Sequence, residues 1–264
     1  MSSNFSTRPV AIVTGGFRGI GRACATGLAN AGFNILLLDL ETAANRELTP
    51  VITADINSLG ADSLPFFADV GDLSLHPNIL EAALSRGGRI DCIVNNAGVP
   101  VHHRGDLLDV QPESFDNCIR VNTRAVFFIS QAVARHMLAA EAPSTNHRSI
   151  INITSSNAKA VSITRGEYCV SKAASTMTTR LFAVRLAPAG IGVYEVRPGI
   201  IDTEMTRPAK AIFDKVIAEH NVPAERWGYP SDVAVTVVSM AEGRLPYTVG
   251  QAITVDGGFI LPHF

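Results

Sequence analysis

The sequence has few features that would stabilise a fold by means other than a hydrophobic core. Its 264 residues include four cysteines, Cys24, Cys92, Cys118 and Cys169, and no two of them form a C-x-x-C pair. Cysteines scattered in this way predict neither a disulfide framework nor a zinc site, so we expect reduced thiols in a cytoplasmic protein. There is no apolar run of about 18 residues and no apolar stretch in the first ten residues. We therefore expect neither a membrane span nor a secretory signal.

Charged residues are also scarce. Asp, Glu, Lys and Arg make up 17% of the chain, below the usual fraction of about a quarter. The 22 basic residues are balanced by 24 acidic ones, which gives a net charge of −2. This balance provides no basic field for a nucleic acid or an anionic membrane, so neither is an expected partner. The low charged fraction suggests instead that part of the surface is covered in an oligomer.

Short apolar segments alternate with longer amphipathic segments along the whole chain. The short segments are rich in Val and Ile and are bounded by Gly, Asp or Asn, which is typical of buried strands. Strands separated by helical crossovers pair in parallel, so we predict an α/β fold with helices on both faces of one sheet. The predicted strands are Val10–Thr14, Asn34–Asp39, Leu64–Ala68, Asp91–Asn95, Ser149–Thr154, Gly192–Arg197 and Ala252–Val255, and the predicted helices cover residues 19–31, 43–59, 74–86, 112–139, 167–187, 203–218 and 231–242.

No linker is long enough to divide the chain, so we expect one domain over residues 1–264. Residues 199–228 are the only long region without a clear pattern, and we expect them to form a lid over the substrate. Arg207, Lys210 and Lys215 in this region either bind an anionic substrate or form a solvated helix face. Acidic residues are interleaved with them, which favours the solvated face.

His102 and His103 are adjacent in the sequence. They either border the substrate or ligate a metal ion. A metal site needs further ligands at suitable spacing, and the sequence offers no third one. We therefore predict no metal site.

A glycine-rich turn follows the first predicted strand. Glycines at positions 15, 19 and 21 let the backbone approach a pyrophosphate, and the helix that follows offers unpaired N–H groups at its positive end. Asp39 closes the second strand 18 residues after Gly21, where a carboxylate can accept hydrogen bonds from a ribose diol. Tight turns need glycine in any case, but the combination predicts a dinucleotide-binding site.

Tyr168 and Lys172 are four residues apart in a predicted helix and therefore share one face. At an effective dielectric of about 20, a positive charge about 4 Å away favours a phenolate by roughly 4 kcal/mol. We therefore expect Lys172 to lower the pKa of Tyr168 toward neutral pH, where Tyr168 is a usable acid/base. Ser155 follows a predicted strand at the carboxyl edge of the sheet, where the glycine-rich turn also lies. The alternative is a surface Tyr and Lys without function.

These segments resemble the short-chain dehydrogenase/reductase family over about residues 8–260. The matching motifs are Thr14-Gly15-xxx-Gly19-x-Gly21, Asp69-Val70, Asn95-Asn96-Ala97-Gly98, Asn122 in Val121-Asn122-Thr123, Ser155, Tyr168-xxx-Lys172, Pro198-Gly199 and Val255-Asp256-Gly257-Gly258. Each match is modest evidence, but eight of them in the right order are very specific. The resemblance implies a Rossmann-type, doubly wound parallel sheet of seven strands.

The resemblance also implies a catalytic tetrad of Asn122, Ser155, Tyr168 and Lys172. Tyr168 would give or take the proton, and Ser155 would hold the carbonyl oxygen. Lys172 would bind the nicotinamide ribose and lower the pKa of Tyr168, and Asn122 would hold a water for proton relay. Asp69 resembles the adenine contact. The segment from Asn95 to Gly98 lies beside the adenosine ribose in such proteins, and the positions of Ile200 and Thr203 flank the carboxamide. The residues expected to bind the cofactor are Gly15, Arg18, Gly19, Ile20, Gly21, Asp39, Asp69, Val70, Asn95, Ala97, Gly98, Tyr168, Lys172, Pro198, Gly199, Ile200 and Thr203.

Two residues favour different cofactors. The charge of Asp39 would repel the 2′-phosphate of NADP, whereas relatives that use NADP often carry a basic residue at the position of Arg18. Asp39 is held by its strand and Arg18 has a flexible side chain, so we predict NAD(H) as the preferred cofactor and NADP(H) as the alternative. Asp39→Ala is expected to narrow this preference or reverse it, by freeing Arg18 to meet the phosphate.

We therefore predict an oxidoreductase that transfers a hydride between NAD(P) and a carbonyl/secondary alcohol pair of a small-molecule substrate. The motifs are shared by 3-oxoacyl carrier-protein reductases and by sugar or polyol dehydrogenases, so they do not identify the substrate. The rival hypothesis is a non-catalytic dinucleotide-binding sensor or partner protein, which has no need of an intact tetrad. Relatives are commonly tetramers built through the long helices that match residues 112–139 and 167–187, so a homotetramer is expected.

Overall fold

The computed structural model describes residues 8–85, 87–140 and 147–262. In these ranges the strands are β1 (Val10–Thr14), β2 (Asn34–Asp39), β3 (Ser63–Phe67), β4 (Cys92–Asn95), β5 (Arg148–Ile153), β6 (Ile191–Pro198) and β7 (Ala252–Val255). The helices are α1 (Gly19–Asn30), α2 (Ala43–Ser58), α3 (His76–Leu84), α4 (Pro112–Ile119), α5 (Val126–Ala139), α6 (Gly166–Leu186), α7 (Lys210–Ala218) and α8 (Pro230–Ala241).

The strands form one sheet in the order β3-β2-β1-β4-β5-β6-β7, and every neighbouring pair is parallel. The chain winds outward in one direction from β1 to β3 and in the other direction from β4 to β7. This arrangement confirms the predicted Rossmann-type, doubly wound seven-stranded sheet. The direction of winding switches between β1 and β4, and ligands of open α/β sheets bind at the carboxyl ends of the strands beside such a switch.

Two hydrophobic cores cover the two faces of the sheet. In β1, Ala11 and Val13 point into the core built with α1, α2 and α8, whereas Val10 and Ile12 point into the core built with α3, α5 and α6. All four side chains are buried. Successive residues of a strand point to opposite faces, so a strand covered on both sides must be apolar throughout. This is why the central strands have continuous apolar sequences.

Two predicted helices differ from the observed ones. The helix predicted over 112–139 begins at Pro112, but a π-helical turn, Arg120–Ala125, separates α4 from α5. The helix predicted to begin at residue 203 begins instead at Lys210, after a short 3₁₀ turn. The Thr206 hydroxyl donates to the carbonyl of Ile201 (2.6 Å) and ties the preceding residues into a turn. Pro208 also disfavours helical backbone at the residue before it.

Residues 199–228 are ordered around a small core of their own. Ile200, Ala209, Phe213 and Val222 are buried together, and the ring of Trp227 meets that of Phe213 edge-on at 5.8 Å. This cluster packs at the carboxyl end of β6.

Candidate active site

The residues expected to form the site come from several strand ends at one edge of the sheet. β1 ends at Thr14 before the glycine-rich turn, β4 ends at Asn95, Ser155 follows β5, and β6 leads through Pro198 into Gly199. Because neighbouring strands are parallel and in register, these ends lie side by side. They border one crevice at the switch between β1 and β4.

The glycine-rich turn leaves no room for a side chain at Gly15 or Gly21. Gly15 and Gly19 have φ values of +64° and +50°, which residues with side chains rarely adopt. A Cβ on Gly21 would lie 1.9 Å from the carbonyl oxygen of Gly15, so α1 starts directly against the turn. No described side chain caps α1, and its first amides, including that of Ile20, are able to bind an anion. The cradle therefore fits a dinucleotide pyrophosphate.

Thr14 and Asn96 hold this turn in place, a role that the sequence did not reveal. The Asn96 amide donates to the carbonyl oxygens of Thr14 (2.9 Å) and Gly15 (3.0 Å). The Thr14 hydroxyl accepts from the backbone N–H groups of Asn96 (3.0 Å) and Ala97 (2.9 Å). These bonds join β1 to the segment after β4. The only sequence signal was that Thr14 and Asn96 belong to two of the family motifs.

Asp39 ends β2 and faces the glycine-rich turn. Its carboxylate accepts hydrogen bonds from the backbone N–H groups of Phe17 (3.3 Å) and Leu40 (2.8 Å). These bonds fix the position of the carboxylate, as expected from its place at the strand end. Asp39 is only partly buried, so its charge remains accessible to a ligand in the crevice.

Arg18 is held by residues other than Asp39. Its Nε and Nη2 atoms donate to the Asn45 side-chain oxygen (3.2 and 2.7 Å), and its Nη1 atom pairs with the Glu204 carboxylate (2.7 Å). The expectation that Asp39→Ala would free Arg18 is therefore wrong, because Asp39 does not hold it. The flexible side chain is fixed by contacts that the sequence did not reveal.

Asp69 and Val70 are also tied to protein groups. The Asp69 carboxylate accepts from the backbone N–H of Gly71 (2.7 Å) and pairs with Arg120 (2.7 Å). The carbonyl oxygen of Val70 contacts the His76 ring at 2.8 Å. These bonds shape the loop after β3, at the expected adenine end of the crevice.

The structure does not bring the Asn95 side chain to the crevice. Asn95 is 3% exposed, and its amide donates to Ser130 of α5 (2.9 Å) and to Asn152 of β5 (2.8 Å). The side chain therefore connects the sheet to a helix inside the core. A contact between this side chain and an adenosine ribose does not fit the observed geometry.

The loop after β6 meets the glycine-rich turn from the other side. The Thr203 methyl carbon lies 3.3 Å from where a Cβ on Gly19 would be. A Cβ on Gly199 would lie 2.5 Å from that of Asp256, so only glycine fits beside the end of β7. The Ile200 side chain packs into the core of residues 199–228 rather than toward the glycine-rich turn.

Ser155, Tyr168 and Lys172 come together beside this cradle. Tyr168 and Lys172 lie in the first turns of α6, and the Lys172 ammonium is 5.7 Å from the centre of the Tyr168 ring. Lys172 also donates to the carbonyl of Ile153, at the end of β5 (3.1 Å). Ser155 is 9% exposed, and its hydroxyl oxygen accepts from the backbone N–H of Asn157 (3.1 Å).

The pKa of Tyr168 is shifted in the direction opposite to the expected one. Burial raises it, and the interactions with the Ser155 hydroxyl and the Arg165 charge lower it only in part. Lys172 is not a cause of this shift; burial lowers its own pKa to about 8. Its ammonium lies 5.7 Å from the centre of the ring, where it can stabilise a phenolate, but the lowered pKa that the spacing of four residues predicted is not observed because burial dominates. At neutral pH Tyr168 is therefore a protonated acid.

Asn122 lies in the π-helical turn and anchors the segment after β4. Its side-chain oxygen accepts from the N–H of Val99 (2.8 Å), and its amide donates to the carbonyl of Val99 (3.1 Å) and to the Ser171 hydroxyl (3.0 Å). A Cβ on Gly98 would lie 3.1 Å from the Asn122 side-chain oxygen and 3.5 Å from the Lys172 ammonium. The backbone of Gly98 therefore faces Asn122 and Lys172.

The two lysines of α7 are paired with nearby acidic residues. Lys210 and Lys215 pair with Asp214 and Glu219 one helical turn away, as a solvated helix face would. Within residues 8–85, 87–140 and 147–262, no group of three or more His, Cys, Asp or Glu side chains is arranged to hold a metal ion. In the same ranges, no helix is long and apolar enough to cross a membrane.

The chain is similar to known proteins over nearly its full length. A family model described as enoyl-(acyl carrier protein) reductase matches residues 15–260. The chain is 34% identical to a 2-dehydro-3-deoxy-D-gluconate 5-dehydrogenase of Escherichia coli, covering 95% of each chain. It is 30% identical to a 3-oxoacyl-[acyl-carrier-protein] reductase of Staphylococcus aureus, covering 95% of this chain and 98% of that one.

Solved structures agree with these sequence matches. A 3-oxoacyl-[acyl-carrier protein] reductase from Brucella melitensis in complex with NAD is 41% identical, with a TM-score of 0.92 over 97% of this chain and 99% of that one. A structure from Agrobacterium tumefaciens named for 2-deoxy-D-gluconate 3-dehydrogenase, with bound NADP, is 30% identical, with a TM-score of 0.82 over 96% of this chain and 97% of that one. Together with the motifs and the crevice, these matches show that the chain belongs to the short-chain dehydrogenase/reductase family of oxidoreductases.

Proposed function

We propose that the crevice interconverts a carbonyl group and a secondary alcohol, with a nicotinamide dinucleotide supplying or accepting the hydride when it is bound. The observation that carries this proposal is the position of Ser155, Tyr168 and Lys172 beside the glycine-rich cradle. The uncapped start of α1 fits the pyrophosphate, and the carboxylate of Asp39 fits the ribose diol. Similar structures contain NAD or NADP, which supports the same cofactor class.

Each catalytic side chain has a part in the reaction. The Ser155 hydroxyl donates a hydrogen bond to the substrate oxygen and holds it beside the phenol. Tyr168 donates its proton to that oxygen during reduction, which its raised pKa permits at neutral pH. The Lys172 ammonium stabilises the phenolate that results, and it would contact the nicotinamide ribose of a bound cofactor. Asn122 positions the loop that carries Gly98; its part in a proton relay stays a prediction.

Replacing Tyr168 with phenylalanine tests this proposal. Tyr168→Phe removes the transferable proton, and we expect kcat to fall by at least about 10²-fold, the lower end of general acid–base catalysis. Tyr247→Phe, at a fully exposed tyrosine, is the matched control and should leave kcat unchanged. Absorbance of the reduced cofactor would be followed with ketones, 3-oxoacyl thioesters and polyols. Near wild-type turnover in Tyr168→Phe would show that Tyr168 is not the acid/base.

The rival hypothesis, a non-catalytic dinucleotide-binding sensor or partner protein, makes a different prediction. Such a protein would bind NAD in a titration but turn over no member of the substrate panel. The buried ammonium of Lys172 argues against it, because burial of a charge is unfavourable. A protein that only bound the nucleotide could use Lys172 for a ribose contact, but it would gain nothing from placing Lys172 beside Tyr168 and Ser155.

The substrate belongs to one of two classes suggested by the relatives. One relative is named as a dehydrogenase of a sugar acid, and another as a reductase of 3-oxoacyl groups on a carrier protein. We propose one catalytic domain over residues 1–264, in which residues 199–228 form the substrate lid. The small core around Phe213 supports the lid, because it lets this segment keep its shape while resting on the end of β6.

We propose NAD(H) as the preferred cofactor and NADP(H) as the alternative. The carboxylate of Asp39 is held at the end of β2 by two backbone N–H groups. Arg18, which would favour NADP, is already held by Asn45 and Glu204.

We further propose a cytoplasmic homotetramer. Val170, Met177, Leu181 and Val184 form an apolar row along α6, and each is about half exposed or more. Burying such a row in a two-fold interface removes apolar surface from water. Light scattering at micromolar concentration should give four times the chain mass of 28.1 kDa, and a monomer would refute the assembly.

A further inference from the structure

Arg165 lies against the catalytic tyrosine. It directly precedes α6, and its guanidinium carbon is 5.8 Å from the centre of the Tyr168 ring. Its Nε atom donates to the Ser162 hydroxyl (3.4 Å). Within the described ranges, the two terminal amino groups have no carboxylate partner. Arg165 is therefore oriented through Nε while the paired donors that recognise carboxylates and phosphates remain available.

Arg104 comes from the segment after β4 and reaches the lid. Its guanidinium carbon is 5.7 Å from the centre of the Phe213 ring in α7. The turn after Arg104 packs against the start of α6, since a Cβ on Gly166 would lie 2.3 Å from a methyl carbon of Leu107. Burial, and then the neighbouring charge of Arg165, lower the pKa of Arg104. Arg104 is exposed, and the loop that follows it brings it to the same edge of the crevice as Arg165.

Two neighbouring positive charges without a counter-ion are unfavourable. Other arginines around the crevice are paired with carboxylates, as Arg18 is with Glu204 and Arg120 is with Asp69. Neither Arg104 nor Arg165 has such a partner among the residues that the structure describes. A bound anion would offset the repulsion and would use donors that the protein leaves unoccupied.

We propose that Arg104 and Arg165 bind an acidic group of the substrate, a carboxylate or a phosphate, while its carbonyl or alcohol carbon lies at Tyr168. The inference rests on the proposed function, because it assigns a substrate class to the same crevice. Arg165 stacks on the catalytic ring, so the acidic group lies only a few bonds from the reacting carbon. Arg104 stacks on Phe213 of α7, so an acidic group bound to Arg104 also connects the substrate to residues 199–228 and holds this segment over it.

Anion binding is measurable without turnover, because Trp227 is the only tryptophan of the chain and its ring lies 5.8 Å from that of Phe213. Its emission would be followed in the NADH-bound protein, whose reduced cofactor cannot accept a hydride from these alcohols, during titration with D-gluconate, D-sorbitol 6-phosphate and neutral D-sorbitol. We expect saturable binding of one or both anions, with an affinity at least about tenfold higher than that of sorbitol. Comparing the affinities of gluconate and sorbitol 6-phosphate then shows whether the site prefers a carboxylate or a phosphate. Equal affinity for all three compounds, or no binding of either anion, would overturn the proposal.

Variants identify the residues that bind the anion. Arg104→Ala and Arg165→Ala should each weaken anion binding at least about tenfold. Arg165→Lys should restore part of it, because lysine keeps the charge but loses the paired donors. The matched control is Arg124→Ala, since Arg124 also lies 5.8 Å from an aromatic ring, that of Phe128, and has no carboxylate partner within the described ranges. An equal loss in the control, or none in the other two, would contradict the proposal.

Kinetics separate this inference from the proposed function. Acetoacetate and its neutral methyl ester would be compared as substrates for reduction, together with gluconate and sorbitol for oxidation. Arg165→Ala should lower kcat/KM for the acidic member of a pair more than for the neutral one. If Arg165 only adjusts the acidity of Tyr168, Arg165→Ala would lower kcat/KM equally for the acidic and the neutral substrate and would shift the pH profile. That result would refute the anion-binding inference but leave the proposed function standing. NAD binding without turnover of any compound would count against the proposed function instead.

Discussion

The choice between NAD and NADP depends on one carboxylate whose position the structure defines. Asp39 ends β2 and accepts two backbone hydrogen bonds, so it is unable to turn away from a 2′-phosphate on the adenosine ribose. Two unit charges about 4 Å apart interact by roughly 4 kcal/mol at an effective dielectric near 20. Asp39 is partly exposed, and solvent screening reduces this value. We therefore expect NAD(H) to be preferred by one to three decades in kcat/KM, on the order of 1.4–4 kcal/mol.

Asp39→Ala should narrow this preference without reversing it. The substitution removes the repulsion, but Arg18 stays bonded to Asn45 and Glu204. Reversal requires the pair between Arg18 and Glu204 to be broken as well, so Asp39→Ala combined with Glu204→Gln should favour NADP(H). Glu204→Gln alone is the control and should keep NAD(H) preferred, because Asp39 is still present.

Steady-state kinetics with both cofactors, at one ionic strength and with one substrate, measures this preference. The ratio of the two kcat/KM values is the relevant quantity, because it cancels effects of a variant on the substrate. A wild-type preference for NADPH would refute the reasoning. An unchanged ratio in Asp39→Ala would show that the carboxylate does not face the ribose.

Three further substitutions test how the site is held together, each by urea denaturation of the cofactor-free protein. Burial lowers the pKa of Lys172 to about 8 from 10.5, so between these pH values the unfolded chain binds more protons and stability rises with pH. Lys172→Met should thus increase the free energy of unfolding by about 1–3 kcal/mol at pH 7, with a smaller gain near pH 10; a gain independent of pH would contradict this. Asn122→Ala should lower the free energy of unfolding by about 2–3 kcal/mol, because the N–H and carbonyl of Val99 lose their partner. An unchanged urea midpoint would refute the anchoring role of Asn122. Arg197→Met should lower the free energy of unfolding by about 3–5 kcal/mol, because it removes the cation paired with the carboxylate of Glu195, which is 1% exposed. A much smaller decrease would show that the other contacts of Glu195 are enough to stabilise its carboxylate.

Much of the fold was predictable because burial leaves a local pattern in the sequence. Every predicted strand overlaps the observed one, and the alternation of strands and helices correctly predicted an all-parallel sheet. The motifs also placed Gly15, Ser155 and Tyr168 at one edge of that sheet. Gly15 and Ser155 follow strands and Tyr168 lies near the start of a helix, and in a parallel sheet the strand ends and the helix starts that follow them lie at the same edge. Local pattern failed at the π-helical turn around Asn122, where the Thr123 hydroxyl donates to the carbonyl of Ser171 in α6, and at the late start of α7, where the Thr206 hydroxyl forms a turn that the apolar pattern does not reveal.

The sequence by itself determined the sheet, the cradle for a dinucleotide and the membership of the family, because these depend on the order of elements along the chain. The tertiary structure alone decided which side chains meet. Arg18 pairs with Glu204, 186 residues away, and the turn after Arg104 packs against the start of α6, where Arg165 lies. The pKa of Tyr168 is raised because packing buries the phenol, whereas the spacing to Lys172 predicted the opposite. Charge pairing and desolvation depend on distances in space, and such distances between remote segments leave no periodic pattern in the sequence.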